Sequence, residues 1–223
     1  MAAYQHHFFD DHLALPTPQK AVCVGQNYLA HMQEMGGAPV SEAMFFIKPL
    51  SAFVGLSEQL AIPRNQGAVH FELELVVLLG KALTNASEEE CLQAIVGYAA
   101  GLDLTLRDVQ AELKQRGHPW ERSKAFDGSA AISAFVLVDS KEALRALAEM
   151  DLQLHCNGEL RQQGNTRQLL RSIATLLSQA SHCFTLAPGD VLFTGTPAGV
   201  GPLQVGDDIK LQVGEISMQT RVV

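Results

Sequence analysis

The chain has 223 residues, enough for one large domain or two small ones, with a core that needs no disulfide support. Hydrophobic residues make up 47% and charged residues 18%, and the formal charge of −8 argues against a nucleic-acid partner, because such binders carry clustered basic surface. An anionic small molecule stays open as a partner, since a bound cation and a few local bases reverse the field inside a cleft.

The N-terminus, residues 1–15, lacks a basic start followed by an apolar run, and no stretch reaches the length of a membrane span. The expected setting is therefore the cytoplasm, with no membrane partner. Residues 1–18 read as an N-terminal segment and 19–223 as a single domain. His6, His7 and His12 suggest a metal site less well than a frayed polar segment. Residues 20–27 read as a buried strand ending at a glycine turn. Asn27 then opens a short helix over about 28–35, closed by Gly36 and Gly37. Residues 43–47 predict a strand that stops at Lys48-Pro49. Residues 69–79 form the plainest strand, alternating at first and then continuously apolar.

Ser87 is the expected N-cap of a helix over 87–96, with Glu90 completing a capping box. Residues 97–103 lead along a small-residue strand to Asp103, and a helix over about 105–116 is capped by Gly117. Residues 118–130 read as a polar loop holding Trp120. Strands follow at 132–138 and 151–156, with a hairpin signal at Asn157-Gly158 and a helix over about 166–179. The end is strand-rich. Without regular strand–helix alternation, the class is α+β, mostly β. Gly195 to Gly201 is no dinucleotide fingerprint, because it opens onto Pro202 with no helix to hold a pyrophosphate. Cys23, Cys91, Cys156 and Cys183 are widely spaced and read as buried small hydrophobes rather than disulfides or zinc ligands.

Glu72 and Glu74 lie two apart on a strand and so share a face, at the mouth of a core run. Two like charges there repel and resist desolvation, and a cation relieves both. A half-exposed strand with a polar outer face fits the alternation too. Asp103 is either a third carboxylate of the same group or a cap on the helix that follows. Three carboxylates without Cys or paired His favour a hard cation, Mg²⁺ or Mn²⁺, with about three of its ~6 octahedral positions left for water or substrate. Such a cation chelates a 2-oxo acid and polarises its carbonyl. His31 and Glu34, three apart on one helical face, are a general base with its orienting partner or a surface ion pair. Lys124 binds a substrate carboxylate or is merely solvated, and Lys48 is equally ambiguous. Arg107 and Gln110 share a helix face.

Taken together, VCVGQNYLAHMQEMG, MFFIKP, VHFELELVVLLG, GYAAGLDLTLRDVQ, PWERSKAFDGSA, NGELRQQG and LAPGDVLFTGTPAGVGPL resemble the fumarylacetoacetate hydrolase family, in family order from about residue 20 to the end. The length resembles small members that act on acylpyruvates or oxaloacetate. The resemblance implies the mixed β-roll of the family's C-terminal domain type, usually a homodimer, with Glu72, Glu74 and Asp103 as metal ligands. It further implies that His31 and Glu34 are a catalytic dyad on a segment that orders over substrate, that Lys124 is catalytic, and that Arg107, Gln110 and Thr196 contact substrate. Gln26, in V-G-x-N-Y ahead of the dyad and beside Tyr28, departs from the arginine of many small members and removes a positive charge. The leading expectation is Mg²⁺-dependent hydrolysis of a C–C bond in an acylpyruvate. Oxaloacetate decarboxylation and keto–enol or double-bond isomerisation are the alternatives, and a β-rich binding module with a structural cation is the non-enzymatic rival.

Overall fold

The computed structural model describes residues 4–9, 17–36, 42–57 and 59–223. In chain order, β1 (Lys20–Gly25), α1 (Leu29–Glu34), β2 (Met44–Pro49), β3 (Phe53–Gly55) and β4 (Gln59–Leu60) precede two consecutive strands, β5 (Val69–Phe71) and β6 (Leu73–Leu79). Next come α2 (Glu88–Ala94), β7 (Ile95–Asp103), β8 (Thr105–Leu106), α3 (Arg107–Arg116), α4 (Glu121–Lys124), β9 (Ala130–Ile132), β10 (Val136–Leu137) and α5 (Lys141–Ala146). The last part holds β11 (Asp151–Cys156), β12 (Glu159–Asn165), α6 (Ile173–Cys183), β13 (Val191–Phe193), β14 (Gly201–Pro202), β15 (Asp208–Val213) and β16 (Ile216–Val222).

Among the described residues the largest sheet has the order β2-β1-β13-β6-β7-β9-β3, with β10 also on β7. A second sheet runs β12-β11-β15-β16-β4, and a small one runs β14-β5-β8. The fold is α+β and dominated by curled sheet, as expected. The reason is visible in β6, which is buried along its whole length. Leu73, Leu75, Val77 and Leu79 face one core, with Leu152, Leu154, Leu211 and Val213 of the second sheet and Leu176 and Leu177 of α6. Val76 and Leu78 face a second core with Phe8, Phe46, Phe135 and Phe193. A strand apolar on both faces needs cover on both.

Several boundaries differ from the expected ones. Residues 69–79 are two strands in two sheets, broken at Glu72. Ile95 and Val96 belong to β7, not to the helix before it, and Thr105-Leu106 forms a strand before α3. The loop 118–130 contains α4. Residues 132–138 are split between β9 and β10, and the helix expected at 166–179 begins at Ile173 with Ser172 as its cap. Asn27 does not cap α1, because its amide bonds the carbonyls of Thr194 and Arg171 at 2.9 and 3.2 Å. The capping box at Ser87 and Glu90 is present, Gly117 caps α3 in the left-handed region, and Asn157-Gly158 closes the β11–β12 hairpin with φ of 53 and 82°. Cys183 is exposed, unlike the other three cysteines. The N-terminal segment is not frayed at His6, which packs on Phe135 and shares a hydrogen bond of 2.8 Å with the Gly189 carbonyl. His12 and Gly37 lie outside the described residues.

Candidate metal centre and its cavity

The break between β5 and β6 builds the centre. At this point the Leu73 N–H leaves the ladder and donates to Oε1 of Gln162 at 2.9 Å, while the Glu72 carbonyl accepts from the Asp103 N–H at 2.9 Å. The chain thus passes from the small sheet to the large one with Glu72 at the crossing and Glu74 inside β6. Asp103 ends β7, the neighbour of β6, so its carboxylate joins theirs. One oxygen from each of Glu72, Glu74 and Asp103 lies within 4.8 Å of the others, and the residues are 4, 1 and 1% exposed. The half-exposed strand face and the helix cap are both excluded by this burial.

Three cations surround the three acids. Lys124 Nζ lies 2.8 Å from Glu72 Oε2, 2.6 Å from Asp103 Oδ2 and 2.6 Å from the Thr105 hydroxyl. Arg107 pairs with Glu72 Oε1 through one guanidinium nitrogen and bonds Gln110 Oε1 at 2.6 Å through another. Lys48, fully buried, sits 2.8 Å from Asp103 Oδ1 and donates to the carbonyls of Lys124, Ser129 and Leu104. Among the described residues Glu74 forms no ion pair, and it accepts the Gly195 N–H at 2.6 Å.

The titration of the two glutamates follows. Burial opposes ionisation of Glu72, but Lys124 and Arg107 prevail and hold its carboxyl below the usual range. Glu74 is pushed well above that range by burial and by the charges of Asp103 and Glu72. The same two acids hold the Lys124 ammonium firmly charged against the effect of burial. A divalent cation beside Glu74 would give this carboxyl the positive partner that Lys48, Lys124 and Arg107 give the other two. With hard oxygen donors and no sulfur or imidazole among the three, the residues fit Mg²⁺ or Mn²⁺.

A cavity opens over the group, and Glu72, Glu74, Lys124, Arg107, Gln110 and Thr196 line it together with His31, Gln26, Phe46 and Trp120. Its empty volume, counting the part open to solvent, is about 410 Å³. His31 Nδ1 lies 3.1 Å from Glu34 Oε2, and Glu34 is itself held by the Gly199 N–H at 3.1 and 3.3 Å. The dyad is therefore anchored, with the other ring nitrogen of His31 left for the cavity. Gln26 adopts a left-handed backbone, φ 60°, at the turn that aims it there. Tyr28 and Lys48 are not among the lining residues, and the buried Tyr28 hydroxyl has no hydrogen-bond partner among the described residues.

The segment Thr194–Gly199 ties these parts together. Thr194 and Thr196 hydroxyls donate to the Leu75 and Leu73 carbonyls at 2.9 and 2.8 Å. Gly195 holds Glu74, Gly199 holds Glu34, and Asn27 at the root of α1 holds Thr194. Gln162, which sequence reasoning did not single out, completes the tie. Fully buried, it takes the Leu73 N–H and donates to Thr196 Oγ1 and the Pro197 carbonyl, both at 2.8 Å. Nothing local marks it, since Gln163 beside it is exposed and polar strand residues usually face water.

The model of the fumarylacetoacetate (FAA) hydrolase C-terminal family matches residues 20–223. Oxaloacetate tautomerase YcgM of Escherichia coli strain K12 is 46% identical over 220 residues, covering 99% of this chain and 100% of the relative. The mitochondrial oxaloacetate tautomerase FAHD1 of Homo sapiens is 41% identical over 202 residues, 90% of each chain. The crystal structure of fumarylpyruvate hydrolase from Pseudomonas aeruginosa in complex with Mn²⁺ and pyruvate superposes with a TM-score of 0.90 at 35% identity, covering 100% of this chain and 97% of that one. By sequence and by fold, this chain belongs to the fumarylacetoacetate hydrolase family.

Proposed function

We propose that this protein is a metal-dependent keto–enol tautomerase of a small 2-oxo acid of the oxaloacetate type. The carrying observation is the His31–Glu34 dyad facing the same cavity as the carboxylate group. Glu72, Glu74 and Asp103 would hold the cation, which supplies Lewis-acid polarisation of the 2-oxo group. Glu34 fixes the His31 ring so that its free nitrogen removes a proton from C3 and returns it to the oxygen at C2, which interconverts ketone and enol with no water consumed. Lys124 stays an ammonium and offsets the negative charge that develops between the two transfers. Thr196 and Gln110 position the acid from the wall.

Charge counting supports an anionic substrate. Glu72, Glu74 and Asp103 are balanced in number by Lys48, Lys124 and Arg107, so a divalent cation leaves the group with surplus positive charge. Hydrolysis of an acylpyruvate, the leading expectation from sequence, becomes the second reading. It uses the same residues with His31 activating water, and the relative called fumarylpyruvate hydrolase favours it. The relatives of higher identity are called tautomerases, which reverses the order. Mg²⁺, a homodimer and a cytoplasmic setting remain part of this proposal.

Proton NMR of oxaloacetate with Mg²⁺ and the purified protein separates the reactions. Accelerated keto–enol exchange without matching release of pyruvate is expected. Exchange no faster than with Mg²⁺ alone sinks the proposal, and stoichiometric pyruvate from an acylpyruvate in its place establishes the second reading.

A further inference from the structure

Arg107, Gln110 and Lys114 stand at i, i+3 and i+7 of α3, on one face of the helix, and all three wall the cavity. Two of them are committed. Arg107 bonds Glu72 and Gln110, and Gln110 is buried against it. Lys124, the other lysine on the wall, is spent on Glu72, Asp103 and Thr105. Lys114 differs. It is exposed, forms no ion pair with any described residue, and carries its ammonium 5.9 Å from the centre of the Trp120 ring. Trp120 in turn tilts against Phe46 at 6.2 Å, and Phe46 lies beneath the Lys124 ammonium at 5.0 Å. The short helix α4 begins just after Trp120 and ends at Lys124. One rigid turn thus links the floor of the cavity to its rim.

We infer that Lys114, steadied over Trp120, is the specificity-determining residue that receives the far carboxylate of a 2-oxo dicarboxylic acid whose oxo-acid end lies on the floor. The inference rests on the proposed 2-oxo acid reading of the cavity. A cation held over an indole keeps its donors for an anion, and the aromatic wall excludes water from one side of the pair. Gln26 contributes no charge to the lining, so Lys114 is the one wall cation, among the described residues, without a carboxylate already in contact. A monocarboxylic 2-oxo acid leaves it unused, so the residue sorts ligands by their far end and not by the chelating one.

Calorimetric binding with Mg²⁺ present tests this, using oxaloacetate and pyruvate on the wild type, Lys114→Met and Lys114→Arg. The expected result is a rise of about 10-fold in the oxaloacetate Kd for Lys114→Met, about 1.4 kcal/mol, with a change below about 2-fold for pyruvate. Lys114→Arg should recover most of the loss. Equal shifts for both ligands, no shift, or a wild type that binds oxaloacetate no tighter than pyruvate overturns the inference. Discrimination in binding without tautomerisation by the wild type supports this contact and contradicts the proposed reaction, so the two fail separately.

Discussion

Glu74 is buried, crowded by Asp103 and Glu72, and forms no ion pair with any described residue. Such a residue costs stability in the metal-free protein and recovers it when metal binds. Glu74→Gln keeps the shape and removes the charge. We expect the metal-free variant to be more stable than wild type by about 1–2 kcal/mol in urea unfolding, within the range typical of functional-site trade-offs. Its Mn²⁺ affinity should fall at least about 10-fold, as for the loss of a charged ligand. A less stable variant with unchanged Mn²⁺ binding contradicts the assignment of Glu74 to the metal. At this scale the acids were legible in the sequence, because a same-face pair at a core mouth is unusual chemistry. The roles of Lys48 and Gln162 were not. Each makes its bonds to groups at least 34 residues away in the chain, which no local pattern records.

At the scale of elements, the connection Thr194–Gly199 and the N-terminal segment each carry a prediction. Gly199 has φ of +98°, and a Cβ there would lie 1.8 Å from the Arg161 carbonyl oxygen. Gly199→Ala must therefore push the loop off β12 and draw the Gly199 N–H away from Glu34. The expected outcome is a fall of about 10-fold or more in kcat, as for a displaced general base, with Mn²⁺ affinity held by the untouched carboxylates. Loss of metal binding with kcat preserved would contradict the division between loop and metal group.

His6 supplies the pH dependence. Burial lowers its pKa to about 4, against the opposing pull of the Gly189 carbonyl and Asp190. The unfolded chain takes up this proton near pH 6.5 and the folded chain only near 4, so stability is full above the first value and declines as pH falls between them. The loss amounts to about 2–3 kcal/mol. Urea unfolding from pH 7 to 4.5 should show a shallower decline for His6→Gln than for wild type, and parallel curves would contradict the docked segment. The segment was misread because its histidines and acids look solvated until Phe53 and Phe135 are brought against His6. The break at Glu72 was missed for a kindred reason. Residues 69–79 keep the strand pattern throughout, and only the side chain of Gln162 capturing the Leu73 N–H shows where one sheet yields to another. A strand bounded by a local signal, β11 before Asn157-Gly158, was legible in full, while its partner β12 was announced by the turn but not by bounds of its own.

Over the whole molecule, β6 is the axis. Its odd residues enter the core shared with the second sheet, and its even residues enter the aromatic core that also backs the metal group. Glu72 at the β5–β6 break, Glu74 in β6 and Asp103 at the end of β7 are thus set by buried strands, while the dyad hangs on the six-residue helix α1, held by hydrogen bonds to the loop at Gly199. In the proposed reading, rigid ligands and a lightly anchored base would suit a site whose floor must not move and whose base must meet the substrate. The chain's net charge of −8 is not repeated in this group, where Glu72, Glu74 and Asp103 are matched in number by Lys48, Lys124 and Arg107. No helix among the described residues is long and apolar enough to cross a membrane.

The central claim is that the carboxylate group holds the cation while His31 moves the proton. Its most direct test is the keto–enol exchange rate of oxaloacetate with saturating Mg²⁺ for wild type and His31→Asn, with Mn²⁺ binding measured on the same preparations. The account predicts that His31→Asn binds Mn²⁺ as wild type does and loses at least about 100-fold in exchange rate, the usual contribution of a positioned general base. Exchange at the wild-type rate in His31→Asn, with metal bound, would contradict it.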